Sequence, residues 1–254
     1  MVISLREIPT TQHISDHPEA KRRPHIIFVH NYGGSEQTSW RHVKLIQELG
    51  YNSVTFSLSN HGENPRWALP WNEMVHWGNE IQRVLDQVKA KEKILFCFSG
   101  PAASGLYALT HNGGRKDVVG YICDSGPFVD AWSCTRRMIS EVKGIHNPFL
   151  RELDLVSMMV RWGFHHDSNL KASVRELFDK DSKFPILSIR GTEDQIIPVE
   201  NIDAVFKPFK FQNLTILLLK SGHLTALKDH PEEYRQAVKK FIDQSVQSSS
   251  TINF

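Results

Sequence analysis

Cysteine is scarce, with three in 254 residues. Cys97 and Cys123 lie inside apolar runs and Cys134 follows a tryptophan. The expectation is therefore buried free thiols, not a disulfide framework, and no spacing among them fits a zinc site. Long hydrophobic runs are also missing. The longest span about five residues, which excludes a membrane-crossing helix. Met1 to Glu7 has no basic stretch leading into an apolar run, so no signal peptide is expected and the expected location is cytoplasmic. Charge of one sign is lacking as well. Thirty Lys and Arg against 28 Asp and Glu leave a formal net charge of +2, which gives no global attraction to nucleic acid or to an acidic membrane. No internal repeat is present. The length fits one large α/β domain or two small ones, and a chain of this size buries a sufficient core without staples.

What is present is an alternation. His25–Val29 is a short, nearly continuous apolar run, as expected of a strand buried on both faces, and Ser53–Leu58, Ile94–Phe98, Val118–Cys123, Pro185–Arg190 and Leu214–Leu219 also read as strands. Between them, Trp40–Leu49, Glu73–Val88, Ala102–Thr110, Val199–Phe206 and Pro231–Val246 have helical character. This predicts an α/β fold: a mostly parallel central sheet with helices on both faces. The segment Phe128–Asp181 is longer and mostly helical, and it breaks the rhythm as a lid or cap would. The expected division is a core of residues 1–127 and 182–246, an insertion at 128–181, and a Ser- and Gln-rich flexible tail at 247–254.

In an open parallel sheet, chemistry collects at the carboxyl ends of the strands. Ser99 follows the run Ile94–Phe98. Its surroundings, Cys97-Phe98-Ser99-Gly100-Pro101, are a relaxed version of the Gly-x-Ser-x-Gly turn that exposes a nucleophile above a sheet. An ordinary helix N-cap serine fits the same residues. Asp194 lies in the loop after Arg190, where a carboxylate can orient an imidazole or simply form a turn. His223 follows the run ending at Leu219, and one surface histidine among thirteen reads the same way in isolation.

Together they fall after three separate strands in the order Ser, Asp, His. With His30-Asn31-Tyr32-Gly33-Gly34, Asn60-His61-Gly62, Gly191-Thr192-Glu193-Asp194 and Gly222-His223, the chain resembles the α/β-hydrolase fold family from about His25 to Ile242. The resemblance implies Ser99 as nucleophile, His223 as general base and acid, and Asp194 as its partner. Asp124 competes with Asp194, because some members carry the acid after the preceding strand. It also implies an oxyanion hole from the backbone N–H groups of Gly100 and of Tyr32 or Asn31, Asn31 standing where relatives carry glycine, and a structural role for His61. Segment 128–181 becomes a helical lid, with Trp132, Met158 and Trp162 as candidate substrate contacts, although most of its apolar residues are expected simply to pack. His165-His166-Asp167 is a poor metal site, since adjacent helical side chains point to different faces.

A serine at the turn suits acyl transfer. The expected activity is hydrolysis of a carboxylic ester or thioester with an apolar acyl or aryl part, with no metal and no organic cofactor. The alternatives are acyl transfer to another acceptor on the same residues, or a non-catalytic protein that binds a ligand or partner. Oligomeric state is not legible.

Overall fold

The computed structural model describes residues 7–59, 73–111, 114–162 and 164–251, with backbone alone for 248–251. The turn at His61 lies outside the described residues. Among the described residues, seven strands form one sheet: β1 (Thr10–His13), β2 (His25–Val29), β3 (Ser53–Phe56), β4 (Lys93–Phe98), β5 (Val118–Asp124), β6 (Ile186–Gly191) and β7 (Leu214–Leu219). Their spatial order is β1-β3-β2-β4-β5-β6-β7. β1 is antiparallel to β3, and every other pairing is parallel.

β2, β4, β5 and β6 are mostly apolar because each one feeds two cores, whereas the outer strand β7 leaves Thr215, Ile216 and Leu218 exposed. Ile26, Phe28, Ile94, Phe96, Ile122, Leu187 and Ile189 face one side, against α1 (Trp40–Glu48) and the terminal helix described below. Ile27, Val29, Leu95, Cys97, Tyr121 and Cys123 face the other, against α2 (Glu73–Gln87) and α3 (Pro101–Thr110). Alternation of side chains along each strand produces this division. All ten residues of α3 are buried. A Cβ at Gly105 would stand 2.5 Å from Cys97 Sγ, so the helix approaches β4 closely only because this residue has no side chain.

Segment 128–181 holds α4 (Ala131–Glu141), α5 (Pro148–Trp162) and α6 (His166–Lys180). A bidentate Arg136–Glu152 pair at 2.8 and 2.9 Å joins α4 to α5. Asp167 accepts the N–H of Asp130 at 2.8 Å, so the start of α6 caps the start of α4. Beyond β6 come α7 (Val199–Phe206), β7, α8 (Ala226–Asp229) and α9 (Pro231–Thr251). α9 continues past Val246 to Thr251, into the tail expected to be flexible, and Ser245, just before that tail, is buried against the sheet at Gly120. Among the described residues, no helix is long and apolar enough to cross a membrane. The three cysteines are free and buried.

Two departures from the sequence reading have local causes. β1 is a polar edge strand, Thr-Thr-Gln-His, held by its ladder to β3 and not by burial, so hydrophobic patterning does not reveal it. β3 stops at Phe56, because the Leu58 N–H leaves the ladder and donates to His30 Nε2 at 2.9 Å.

One core residue makes acid stability predictable. His42 lies among the rings of Phe28, Phe96, Phe98 and Tyr234. Neither of its ring nitrogens finds a hydrogen-bond partner among the described residues, although Asp124 Oδ2 stands 4.0 Å from Nε2. Burial pushes its pKa down to about 3, with Arg41 adding to the effect. The folded chain thus keeps His42 neutral, while the unfolded chain takes up a proton below pH ~6.5. Stability is lost as pH falls through that window, by about 2 kcal/mol from this group at pH 5. The variant His42→Phe should lose less stability than wild type between pH 7 and pH 5, a gap of roughly 4–8 °C in Tm. Parallel Tm curves for the two proteins would show that the ring does not stay neutral.

Candidate active site

The strand order reverses between β2 and β4: β3 lies to one side of β2 and every later strand to the other. The crevice above the carboxyl ends of such strands is where α/β sheets place their ligands. The loop after β2 and the residue after β4 both open onto it.

Ser99 follows the last residue of β4 and has φ +55°, a left-handed backbone for a residue that carries a Cβ. Such a conformation costs on the order of 1–3 kcal/mol and persists only where the surroundings enforce it. Here its N–H donates to the Asp124 carbonyl at 2.9 Å, and its own carbonyl accepts the Ala102 N–H at 3.0 Å. The chain passes from strand to helix within this residue. Gly100 and Pro101 follow at the helix start, where a missing N–H is no loss.

Ser99 Oγ lies 3.0 Å from His223 Nε2, and His223 Nδ1 lies 2.7 Å from Asp194 Oδ2. The hydrogen bonds set the tautomer. A carboxylate only accepts, so His223 Nδ1 carries the hydrogen, and the neutral ring offers Nε2 as acceptor to the Ser99 hydroxyl. Asp194 is held by backbone. Its Oδ1 accepts the N–H groups of Ile196 and Ile197 at 2.9 and 2.8 Å, which leaves Oδ2 for the histidine. Ser99 and Asp194 are buried, and His223 is half-buried.

Asp124, the competing acid, sits elsewhere in the constellation. It is fully buried, accepts from Tyr234 Oη at 2.8 Å and Ser125 Oγ at 2.9 Å, and burial pushes its pKa up to about 6. Asp194 is the carboxylate on His223 Nδ1.

The loop after β2 is locked by His30. Its Nε2 accepts the Leu58 N–H, so Nδ1 is the donor, and it bonds the Asn31 carbonyl at 2.8 Å. That carbonyl also accepts the Gly34 N–H at 3.0 Å. In a trans peptide the next N–H points the opposite way, so the Tyr32 N–H is directed away from these partners. The Tyr32 ring packs between Trp77 and Trp162, with centroids at 5.9 and 5.3 Å.

A cavity of about 90 Å³ is lined by Ser99, His223, Asn31 and Tyr32, and by Phe128, Met138 and Trp162 on its apolar side. Cys134 also lines it, but burial pushes its thiol up to about 12 and leaves it a poor nucleophile. Of the three expected substrate contacts, only Trp162 is among the lining residues. Trp132 is exposed and stacks on Phe164, while Met158 of α5 is buried in the core. Helix phase accounts for both placements, and it is Met138 of α4 that lines the cavity. Ile196 and Ile197 also line the cavity, and only their adjacency to Asp194 signals this in the sequence. His166 lies against Phe128 and Trp162. Among the described residues, no group of three His, Cys, Asp or Glu is placed to hold a metal ion.

The sequence matches no family model and no curated protein. Solved structures match it in shape. An esterase of Pyrococcus furiosus superposes with a TM-score of 0.68 at 16% identity, covering 94% of this chain and 91% of that one. A monoacylglycerol lipase of Paleococcus ferrophilus gives 0.66 at 16%, covering 94% and 100%. A bromoperoxidase of Bacillus anthracis gives 0.66 at 13%, covering 92% and 94%.

Gly126 tests how the β5 end supports Ser99. A Cβ there would collide with the Ser99 carbonyl. The variant Gly126→Ala should be less stable by about 1–3 kcal/mol in urea denaturation. Unchanged stability would show that the two segments separate without cost.

Proposed function

We propose that this chain, which has the α/β-hydrolase fold, is a serine hydrolase of carboxylic esters or thioesters. The esterase, lipase and bromoperoxidase structures that it resembles share that fold over 92–94% of the chain. The observation that carries the reading is the hydrogen-bonded series Ser99–His223–Asp194, with its nucleophile on a left-handed turn at a helix start.

Each group then has a role. Ser99 Oγ attacks the substrate carbonyl while its proton passes to His223 Nε2. The carbonyl oxygen becomes an oxyanion, stabilised by the N–H groups of Gly100 and Tyr32. Collapse of this intermediate breaks the bond to the alcohol or thiol, which leaves with the proton from His223. An acyl-Ser99 remains. Water attacks it, His223 takes the water proton, and the acid departs as Ser99 recovers its hydrogen. Asp194 holds Nδ1–H in place and stabilises the imidazolium that forms in both halves. No step requires a metal or an organic cofactor.

Helices α4–α6 act as the lid. Met138 and Trp162 line the cavity from this segment, and Arg137 Nε of α4 donates to the Ile196 carbonyl beside Asp194 at 3.1 Å. The cavity, at about 90 Å³, is well below the ~300 Å³ of a pocket for a drug-sized ligand. It suits a short apolar acyl group or a small aryl group. Product analysis with a competing alcohol separates hydrolysis from acyl transfer, which the same groups can perform.

A fluorophosphonate should add once to wild type by intact mass and not at all to Ser99→Ala. Asp194→Asn should lower kcat for a p-nitrophenyl ester by roughly 10⁴-fold. Absence of an adduct on folded wild-type protein would favour a binding role. Acetate and butyrate p-nitrophenyl esters should exceed the octanoate in kcat/KM by about tenfold or more, and a preference for octanoate would overturn the small-acyl assignment.

A further inference from the structure

We propose that Asp124 and Ser125 form a clamp that holds the His223 loop in register with Ser99, so that both are positioning residues for the reaction; this rests on Ser99 and His223 being the reacting pair.

Three residues around the site have left-handed backbones although none is glycine: Ser99 at φ +55°, Ser125 at +56° and Leu224 at +58°. They come from three separate segments, after β4, after β5 and after β7, and one set of hydrogen bonds joins them. The Asp124 carbonyl accepts the Ser99 N–H at 2.9 Å. The Asp124 carboxylate accepts the Ser125 hydroxyl at 2.9 Å through Oδ1. Ser125 Oγ in turn accepts the Leu224 N–H at 3.1 Å. Leu224 directly follows His223.

The direction of these bonds gives the pair its effect. A serine hydroxyl has one hydrogen, and the carboxylate takes it, so the oxygen lone pairs are turned towards Leu224. Asp124 thereby orients Ser125 as an acceptor. Asp124 is itself immobilised: it is fully buried, and Tyr234 Oη donates to Oδ2 at 2.8 Å. The Ser125 N–H is tied to the Ile189 carbonyl of β6 at 2.9 Å. The end of β5 therefore grips the nucleophile turn through its main chain and the histidine loop through a side chain, one residue from the ring that must reach Ser99 Oγ. Removing the hydroxyl deprives Leu224 of its N–H partner and frees the loop to relax from its left-handed turn.

Two variants separate the hydroxyl from the backbone. Ser125→Ala removes the oxygen and retains a Cβ at positive φ. Ser125→Gly removes the oxygen and accepts that φ without strain. Both should lower kcat on a p-nitrophenyl ester by about tenfold or more, with KM within about twofold and Tm within a few degrees, the pattern of lost alignment and not of lost substrate binding. A second readout needs no turnover. The low-field proton resonance of His223 Nδ1–H should be sharp in wild type and broadened or lost in both variants. Wild-type kcat with an unchanged resonance in both would overturn the clamp. Wild-type behaviour in Ser125→Gly alone would assign the effect to backbone strain and would overturn it equally. If wild type hydrolyses no ester while the resonance is present and both variants lose it, the hydrolase reading fails and the clamp stands.

Discussion

The constraint on which this molecule turns is the passage from β4 to α3 within a single residue. For Ser99 to stand above the sheet in a left-handed conformation, the helix after it must run back close against the strand before it. That closeness requires a glycine at 105, where a Cβ would meet Cys97 Sγ, and all ten residues of α3 are buried. The rest of the α2–α3 face follows. Tyr107, Leu106 and Leu109 continue the same helix outward into the core that α2 and α5 share. A looser helix would not need the strain, and a strained serine without this packing would relax to an ordinary strand end.

Much of this was legible from residues alone, for identifiable reasons. Strands β2, β4, β5 and β6 announce themselves because alternate residues serve opposite cores, so that no position in the middle of the sheet can be polar at low cost, while β7 is apolar in sequence although Ile216 and Leu218 are exposed. Ser99, Asp194 and His223 stand out together, because Ser99 directly follows one such strand and the other two lie in the loops after β6 and β7. β1 is silent because an edge strand of Thr-Thr-Gln-His owes its place to main-chain pairing. The choice between Asp124 and Asp194 needed coordinates, since both are acids after strands and only the position of His223 Nδ1 separates them. Trp132 and Met158 were plausible from composition, but the phase of α4 and α5 sends one to the surface and the other into the core. Ser125 and Leu224 carry no residue-level signal, because what distinguishes them is a backbone angle.

Histidine shows how environment sets chemistry here. His30, His42 and His223 are all enclosed to different degrees, yet they differ in every functional respect. His30 is held as the Nδ1–H tautomer by one amide donor and one carbonyl acceptor, and burial lowers its pKa. His42 is enclosed by rings, with Asp124 Oδ2 4.0 Å from its Nε2 and no hydrogen bond to either nitrogen among the described residues. His223 alone faces a carboxylate on one side and a hydroxyl on the other. The same imidazole is a loop staple, a ring enclosed by rings, or a bridge from hydroxyl to carboxylate according to its neighbours.

The seat of Asp194 has a further consequence. Its Oδ1 is held by the main-chain N–H groups of residues 196 and 197, not by side chains. Any replacement at those two positions short of proline keeps both donors. A mutational scan that exchanges side chains one at a time would therefore pass over the groups that orient the acid, and divergence could rewrite the loop around Asp194 without disturbing the angle at which it meets the histidine.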